Sequence, residues 1–154
     1  MKSLDRNKRH IYYSNLVGEQ EIVDEYGNVT GEMIPIYGEI HAERMNESAA
    51  RGNAYDDPFG IGTNYNKTLV TNNLSLPIDK TTRLWLGFGK VEQFSPTKFY
   101  ASGTIVIKDN ALAIAKSQDG QIAWIPIPYN YIVVGVAKSL NSVSYAVREV
   151  QVNG

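Results

Sequence analysis

The sequence predicts an all-β protein: a small β-barrel, or barrel-like sandwich, with long loops and an inserted β-hairpin region. The 154 residues include ten tyrosines and thirteen glycines, which favour strands and turns over helices. Short apolar runs recur along the chain and are separated by turn pairs such as Asp109-Asn110 and Asp119-Gly120. Residues 131–150 have the pattern of two strands joined by a short polar turn.

Length and composition favour one domain spanning residues 1–154. Apolar residues make up 43% and charged residues 20%, which is typical of a globular chain. The net charge of −1 gives no overall basic footprint for nucleic acid, and the lack of cysteine excludes disulfides and thiolate metal sites. We find neither a signal peptide nor an apolar run approaching the roughly 20 residues of a membrane helix, so we expect no membrane partner.

The first elements are a strand and a hairpin. Residues 11–17 form the strand, and residues 21–31 resemble a hairpin tip in which Gly27 supplies the positive φ of a tight turn. A second strand follows over residues 33–40, where Pro35 indicates an edge position or a strand start because it lacks an N–H donor.

Residues 42–50 are the best helix candidate, since Ala, Glu, Arg and Met favour a helix of one or two turns, although an extended segment fits equally well. Residues 54–64 have the composition of a loop, and short strands are expected over residues 65–71 and 83–87.

Residues 88–128 are predicted to be an inserted β-meander. Its strands are expected over residues 99–108, 111–116 and 121–127.

The closing hairpin predicts its own buried face. Val143, Tyr145 and Val147 alternate with smaller or polar residues, so these three should face the core. On the partner strand we expect Val134 and Val136 to face the same way.

No combination of residues indicates a reaction centre, so the sequence predicts no enzyme, no cofactor and no metal. His41-Ala42-Glu43 matches the His-x-Glu of zinc deaminases, but the chain lacks the cysteine ligands that such sites need. The pairs Asp24-Glu25 and Asp56-Asp57 lack the ligand spacing of a calcium loop and fit solvated turns better. There is no nucleophile elbow and no complete glycine-rich dinucleotide motif.

Tyrosines leave two interpretations open. They are suited to stacking bases on an oligonucleotide-binding barrel, and equally to a protein interface, where they offer rigid area and a hydroxyl group. The basic residues are spread along the chain, which favours the interface. The tyrosines concerned are Tyr12, Tyr13, Tyr26, Tyr37, Tyr55 and Tyr65.

Several segments, in their order, resemble the siphophage-type head closure or head–tail connector (stopper) proteins of tailed phages. Near the start stands Ser-Leu-Asp-Arg-Asn-Lys, and residues 21–32 contain Asp-Glu-Tyr-Gly-Asn. Further matching segments are residues 50–67, residues 76–86 with Leu-Trp-Leu, and the closing Val-Ala-Lys-Ser-Leu-Asn-Ser-Val-Ser-Tyr-Ala-Val of residues 136–147. The resemblance is loose over the first 87 residues and close over the last 25. The insertion 88–128 departs from the pattern, which leaves the role within the connector open.

The resemblance implies a structural protein of the virion neck, present in the host cytoplasm during assembly. Such proteins form a homo-oligomeric ring, here a dodecamer or hexamer, that closes the DNA-filled head. The portal or adaptor ring lies above it, the tail terminator or tail tube below, and packaged DNA in its channel. We expect the isolated protein to be monomeric or weakly associated, since premature closure would obstruct packaging. The alternatives are a tail-terminator or other tail-tube component, an OB-like nucleic-acid or carbohydrate-binding module and, more distantly, an enzyme.

The loop of residues 54–64 is predicted to be a partner or channel contact. Its apolar anchors exceed what a solvated loop needs, while Pro58 and the glycines oppose a regular strand. The alternative is a loop folded back to cap the end of the barrel. The candidate interface residues are Tyr55, Asp56, Asp57, Phe59 and Ile61.

Overall fold

The computed structural model of the protein describes residues 8–49 and 64–150, and all the regular secondary structure in those ranges is β-strand. The all-β prediction is therefore confirmed. The strands are β1 (Lys8–Ser14), β2 (Leu16–Val23), β3 (Val29–Tyr37), β4 (His41–Ala49), β5 (Lys67–Thr71), β6 (Arg83–Trp85), β7 (Glu92–Gln93), β8 (Ile105–Lys108), β9 (Ala111–Gln118), β10 (Gln121–Ile127), β11 (Tyr131–Lys138) and β12 (Val143–Glu149).

Six strands close into an antiparallel barrel in the order β1-β4-β5-β12-β11-β6, with β6 pairing back to β1. Closure leaves this sheet without an unpaired edge. The predicted final hairpin is present as β11–β12. The barrel interior is filled by alternate residues of the strands, including Ile11, Met45, Leu69, Leu84 and Val147, all fully buried.

The helix suggested for residues 42–50 is wrong, because this segment is strand β4. It pairs with β1 on one side and β5 on the other, and Asn46 faces Lys8 and Val70 in the two registers. Met45 is completely buried in the barrel core. Two ladders of backbone hydrogen bonds and one buried side chain outweigh the weak helix propensity of nine residues.

The final hairpin confirms half of the predicted buried face. Val143, Tyr145 and Val147 are buried, but Val134 is half-buried and Val136 is 37% exposed. The odd-numbered residues of β11 are the buried ones, which explains the error, and a β-bulge interrupts the register between Val133 and Gly135. Before the bulge the odd-numbered residues of β11 face the core, with Val133 opposite Val147 and only 2% exposed. After it Val136 stands opposite Tyr145, but near the end of the strand, where solvent reaches it.

The inserted region forms its own four-stranded sheet in the order β10-β9-β8-β7. Both predicted turn pairs are confirmed, since Asp109, Asn110, Asp119 and Gly120 have φ values of 53°, 63°, 51° and 78°. Two successive positive φ values are the geometry of the tight two-residue hairpin turn. The predicted strand over residues 99–108 is too long, because residues 99–104 lie outside any strand and β8 begins at Ile105.

The inserted sheet packs on the outside of the barrel through a second apolar cluster. Tyr12 and Trp85 come from barrel strands, Ile107 and Leu112 from the inserted sheet, and Ile40 from the segment before β4. The indole Nε1 of Trp85 donates a hydrogen bond of 2.8 Å to the Ile127 carbonyl. The insertion is thus joined to β1 and β6, beside the β2–β3 hairpin that leaves the end of β1.

Strands β2 and β3 form a separate two-stranded sheet, the β2–β3 hairpin of residues 16–37. The predicted tip is confirmed, with Gly27 at φ 83°. The strand predicted over residues 11–17 is interrupted at Asn15, where β1 gives way to β2. Pro35 lies opposite Glu19, and β3 pairs only with β2 among the described residues, so the edge position predicted for this proline is confirmed.

Candidate partner interface

The five residues predicted from the sequence to contact partners lie outside the described residues. The loop of residues 54–64 has only its last residue, Asn64, inside them.

The β2–β3 hairpin carries the largest group of exposed apolar side chains among the described residues. Tyr26 at its tip is 81% exposed and Val17 at its base is 66% exposed. A two-stranded ribbon with no third layer buries little apolar surface of its own. Exposed apolar groups concentrated on one element in this way mark surfaces that partners cover. The exposed large apolar residues of the hairpin are Val17, Val23, Tyr26, Val29, Met33, Ile34 and Ile36.

The tip of this hairpin has a defined shape. The Asp24 carboxylate accepts hydrogen bonds of 2.9 Å from the backbone N–H groups of both Tyr26 and Asn28. The Gly27 N–H donates to the Asp24 carbonyl at 3.0 Å. The acidic pair Asp24-Glu25 therefore builds a turn, as the sequence suggested, and presents the Tyr26 ring on a fixed backbone.

The hairpin is also strongly acidic. Residues 16–37 contain five carboxylates and no lysine or arginine, although the whole chain has a net charge of only −1. A surface that is both apolar and uniformly negative fits a partner surface that combines apolar area with positive charge. The five carboxylates belong to Glu19, Glu21, Asp24, Glu25 and Glu32.

A second feature lies at the base of the hairpin, around Arg83 of barrel strand β6. Its guanidinium carbon is 3.6 Å from the ring centroid of Tyr37, at the end of β3, and 4.5 Å from that of Tyr129. Tyr129 in turn meets the Trp85 ring edge-on at a centroid distance of 6.4 Å. The flat cation is thus held between two aromatic rings that come from distant parts of the chain.

Arg83 opens onto a groove between the barrel and the inserted sheet. The groove has a volume of about 330 Å³. Its walls are mainly apolar and aromatic, and among the described residues the Arg83 guanidinium is the only cationic lining group. The arrangement is that of a small recognition pocket, apolar with one positioned charge. We call this pocket the Arg83 groove; it is lined by Trp85, Ala111, Pro126, Ile127, Pro128 and Tyr129, together with Ser14, Tyr37 and Asn110.

Other ionisable groups serve the fold. The Lys67 ammonium pairs with the Glu47 carboxylate, and this hydrogen bond is the main cause that raises the Lys67 pKa. Burial raises the pKa values of Tyr13 and Tyr145 in the barrel core.

Neither histidine belongs to a metal cluster. The His41 ring lies against the Tyr13 ring at a centroid distance of 5.3 Å. Within residues 8–49 and 64–150, no three His, Asp or Glu side chains are close enough together to hold a metal ion.

Of the six tyrosines considered for base stacking, five lie among the described residues, and four of these are unavailable. Tyr12, Tyr13 and Tyr65 are buried, and Tyr37 stacks on Arg83. Only Tyr26 stands free at the hairpin tip among those described, so the structure offers no row of exposed aromatic rings there.

The described part of the chain contains no helix long and apolar enough to cross a membrane. Comparison with models of known protein families finds no match, and neither does comparison with curated proteins.

Proposed function

We propose that the protein is a structural part of a tailed-phage neck: a subunit of the ring that closes the DNA-filled head and joins it to the tail. The observation that carries the proposal is the β2–β3 hairpin, an ordered arm with exposed apolar side chains beside a rigid closed barrel. The barrel supplies a fixed base, and the arm supplies surface that a neighbour would cover. The resemblance of the closing hairpin sequence supplies the phage context.

The role of a tail-terminator or other tail-tube component is the runner-up, because a barrel with a projecting arm suits any stacked ring. The nucleic-acid-binding module receives less support. Stacking of bases requires exposed rings beside a basic groove, whereas here most of the described candidate tyrosines are buried or occupied and the exposed arm is acidic.

The test is removal of the gene from the phage that carries it, followed by electron microscopy of the particles. We expect separate DNA-filled heads and finished tails, which wild-type protein converts to whole virions. Tails of abnormal length would assign the protein to tail termination, and normal virions without it would overturn the proposal.

Variants connect this assay to the hairpin. Tyr26→Ser/Met33→Ser should fold normally, because both side chains are exposed, yet fail to restore head–tail joining. Leu74→Ser/Leu140→Ser is the matched control, since it removes two exposed apolar side chains away from the hairpin. Equal loss of joining with both pairs would show that the hairpin has no special part.

A further inference from the structure

The Arg83 guanidinium has N–H donors available for a further hydrogen-bond acceptor. The guanidinium carries five N–H groups, and among the described residues its contacts are the faces of two rings, with no carboxylate within ion-pair distance. The ring contacts supply no hydrogen-bond acceptor to the N–H groups, which leaves them for an acceptor on a partner. A half-buried guanidinium held flat in this way is suited to a carboxylate, which it binds through two parallel hydrogen bonds.

The lining of the groove also determines which kind of side chain can bind beside that carboxylate. Its walls are apolar and aromatic, with Trp85, Ile127 and two prolines beside the cation. An acidic residue next to an aromatic one therefore fits better than a bare anion, because the ring covers the walls while the carboxylate meets Arg83.

This chain carries such a pair at the tip of the β2–β3 hairpin. Glu25 and Tyr26 are adjacent, both are exposed, and the Asp24 turn fixes the backbone that presents them. The five carboxylates of the hairpin add attraction toward any cationic pocket.

The tip cannot enter the groove of its own subunit. Tyr37, which ends the hairpin, forms part of that groove, and the tip lies about eight residues further along the ribbon. At about 3.3 Å per residue this is a separation of about 25 Å. A tip at one end and a pocket at the other give a head-to-tail contact, which generates a ring when the rotation between copies closes.

We infer that the Glu25-Tyr26 tip of one copy docks in the Arg83 groove of a second copy of this chain. The inference deepens the proposed function and rests on it for the setting of the ring. The contact itself is a property of the purified protein.

The lack of cysteine permits a direct test on the full-length chain. Two single-cysteine proteins are mixed under mild oxidation, Asn28→Cys for the exposed tip and Ala111→Cys for the groove, so that Glu25 and Tyr26 are both kept. We expect a disulfide-linked heterodimer to form at least about tenfold faster than with the control pair Leu140→Cys and Ala111→Cys. Equal rates for the two pairs would overturn the docking.

A charge exchange tests the role of Arg83 separately. Arg83→Glu and Glu25→Lys, each alone, should lose concentration-dependent association in sedimentation velocity. An equimolar mixture should regain it, because each contact then pairs opposite charges. Arg148→Glu, a charge change of the same size at the end of β12, should behave like wild type. If the mixture fails to associate while both variants remain folded by circular dichroism, the inference is wrong.

The cross-linking and charge-exchange experiments test the contact independently of the proposed function in the phage. Cross-linking at the predicted pair, together with normal virion assembly after gene removal, would support the contact and contradict the neck function. A neck defect after gene removal, in the absence of cross-linking and of charge complementation, would support the function and contradict this contact.

Discussion

The phenol oxygen of Tyr12 accepts a hydrogen bond of 2.6 Å from the backbone N–H of Val91. The same hydroxyl donates to the Gly89 carbonyl at 2.9 Å. Tyr12 belongs to barrel strand β1 and is almost fully buried, whereas the other two residues begin the inserted region. One side chain therefore satisfies two backbone groups where the chain leaves the barrel, and fixes the direction in which the insertion starts.

Removal of that hydroxyl should loosen the insertion. We expect Tyr12→Phe to lower the free energy of unfolding by about 1–3 kcal/mol, because the Val91 N–H loses its partner in a half-buried position. Urea denaturation measures the loss. Tyr26→Phe, which removes a hydroxyl from the exposed hairpin tip, is the control and should change nothing. A Tyr12→Phe protein as stable as wild type would mean that water replaces the hydroxyl.

The parts of the fold that could be predicted from the sequence are those encoded locally. Asp119-Gly120 requires a tight turn by its own backbone preferences, and β10 follows it with the predicted bounds. The helix predicted over residues 42–50 was wrong because the helix propensity of this segment is weak and its secondary structure is decided by pairing with two neighbouring strands. The buried face of β11 was predicted wrongly because residues 132–136 are apolar or glycine throughout, so that no polar residue marks the exposed side.

The candidate interface was predictable only in part. The hairpin tip could be predicted from the turn residues Asp24 and Gly27. The negative charge of the hairpin could be predicted too, because its five acidic residues are accompanied by no lysine or arginine. Its exposure was not visible, since whether a third layer covers a ribbon is a tertiary property. Arg83 had no local signal, because Tyr37 and Tyr129 reach it from 46 residues away on each side.

Two valines of β11 have opposite expectations, because Val133 is 2% exposed and Val136 is 37% exposed. Val133→Asp should destabilise the protein by about 3 kcal/mol or more, because an unpaired carboxylate would enter the barrel core. Val136→Asp should cost under about 1 kcal/mol, since its side chain reaches solvent. Thermal melting of both variants checks the register. A larger loss for Val136→Asp would mean that the Val136 side chain, and not that of Val133, faces the core.

The Asp24 turn should act locally. Asp24→Ala removes the acceptor of two backbone hydrogen bonds and should speed hydrogen exchange at the amides of Tyr26 and Asn28. The melting temperature of the barrel should stay the same, because the tip is exposed and far from the core. Asp24→Asn keeps an acceptor oxygen and should restore slow exchange. Loss of barrel stability with Asp24→Ala would contradict an independent hairpin.

Alkaline pH should destabilise the barrel through Tyr13 and Tyr145. Burial raises both pKa values above the ordinary 10.0, and Glu43 adds to the shift at Tyr13. The folded state then holds these protons where the unfolded chain has lost them. Stability is therefore full below pH 10 and falls as the pH rises through the folded pKa values.

Urea unfolding at pH 8 and at pH 11 measures this effect. Tyr13→Phe/Tyr145→Phe should lose less stability between the two pH values than wild type does. Tyr26→Phe, at an exposed site, should match wild type. An unchanged loss in the double variant would assign the alkaline sensitivity to other groups, such as the Lys67–Glu47 pair, whose raised lysine pKa acts in the same direction.

The stack of Arg83 on Tyr37 should couple the base of the hairpin to the barrel. Arg83→Met keeps an apolar stem and removes the cation, while Tyr37→Leu keeps apolar volume and removes the ring. Each change alone should cost about 0.5–2 kcal/mol of unfolding free energy. The double variant should cost less than the sum by about 0.5–1 kcal/mol, because one interaction cannot be lost twice. The pair Arg148→Met/Tyr26→Leu, whose side chains are both exposed, should be additive. Additivity at Arg83 and Tyr37 as well would show that their 3.6 Å approach contributes nothing to stability, and that the cation is held for a ligand by Tyr129 alone.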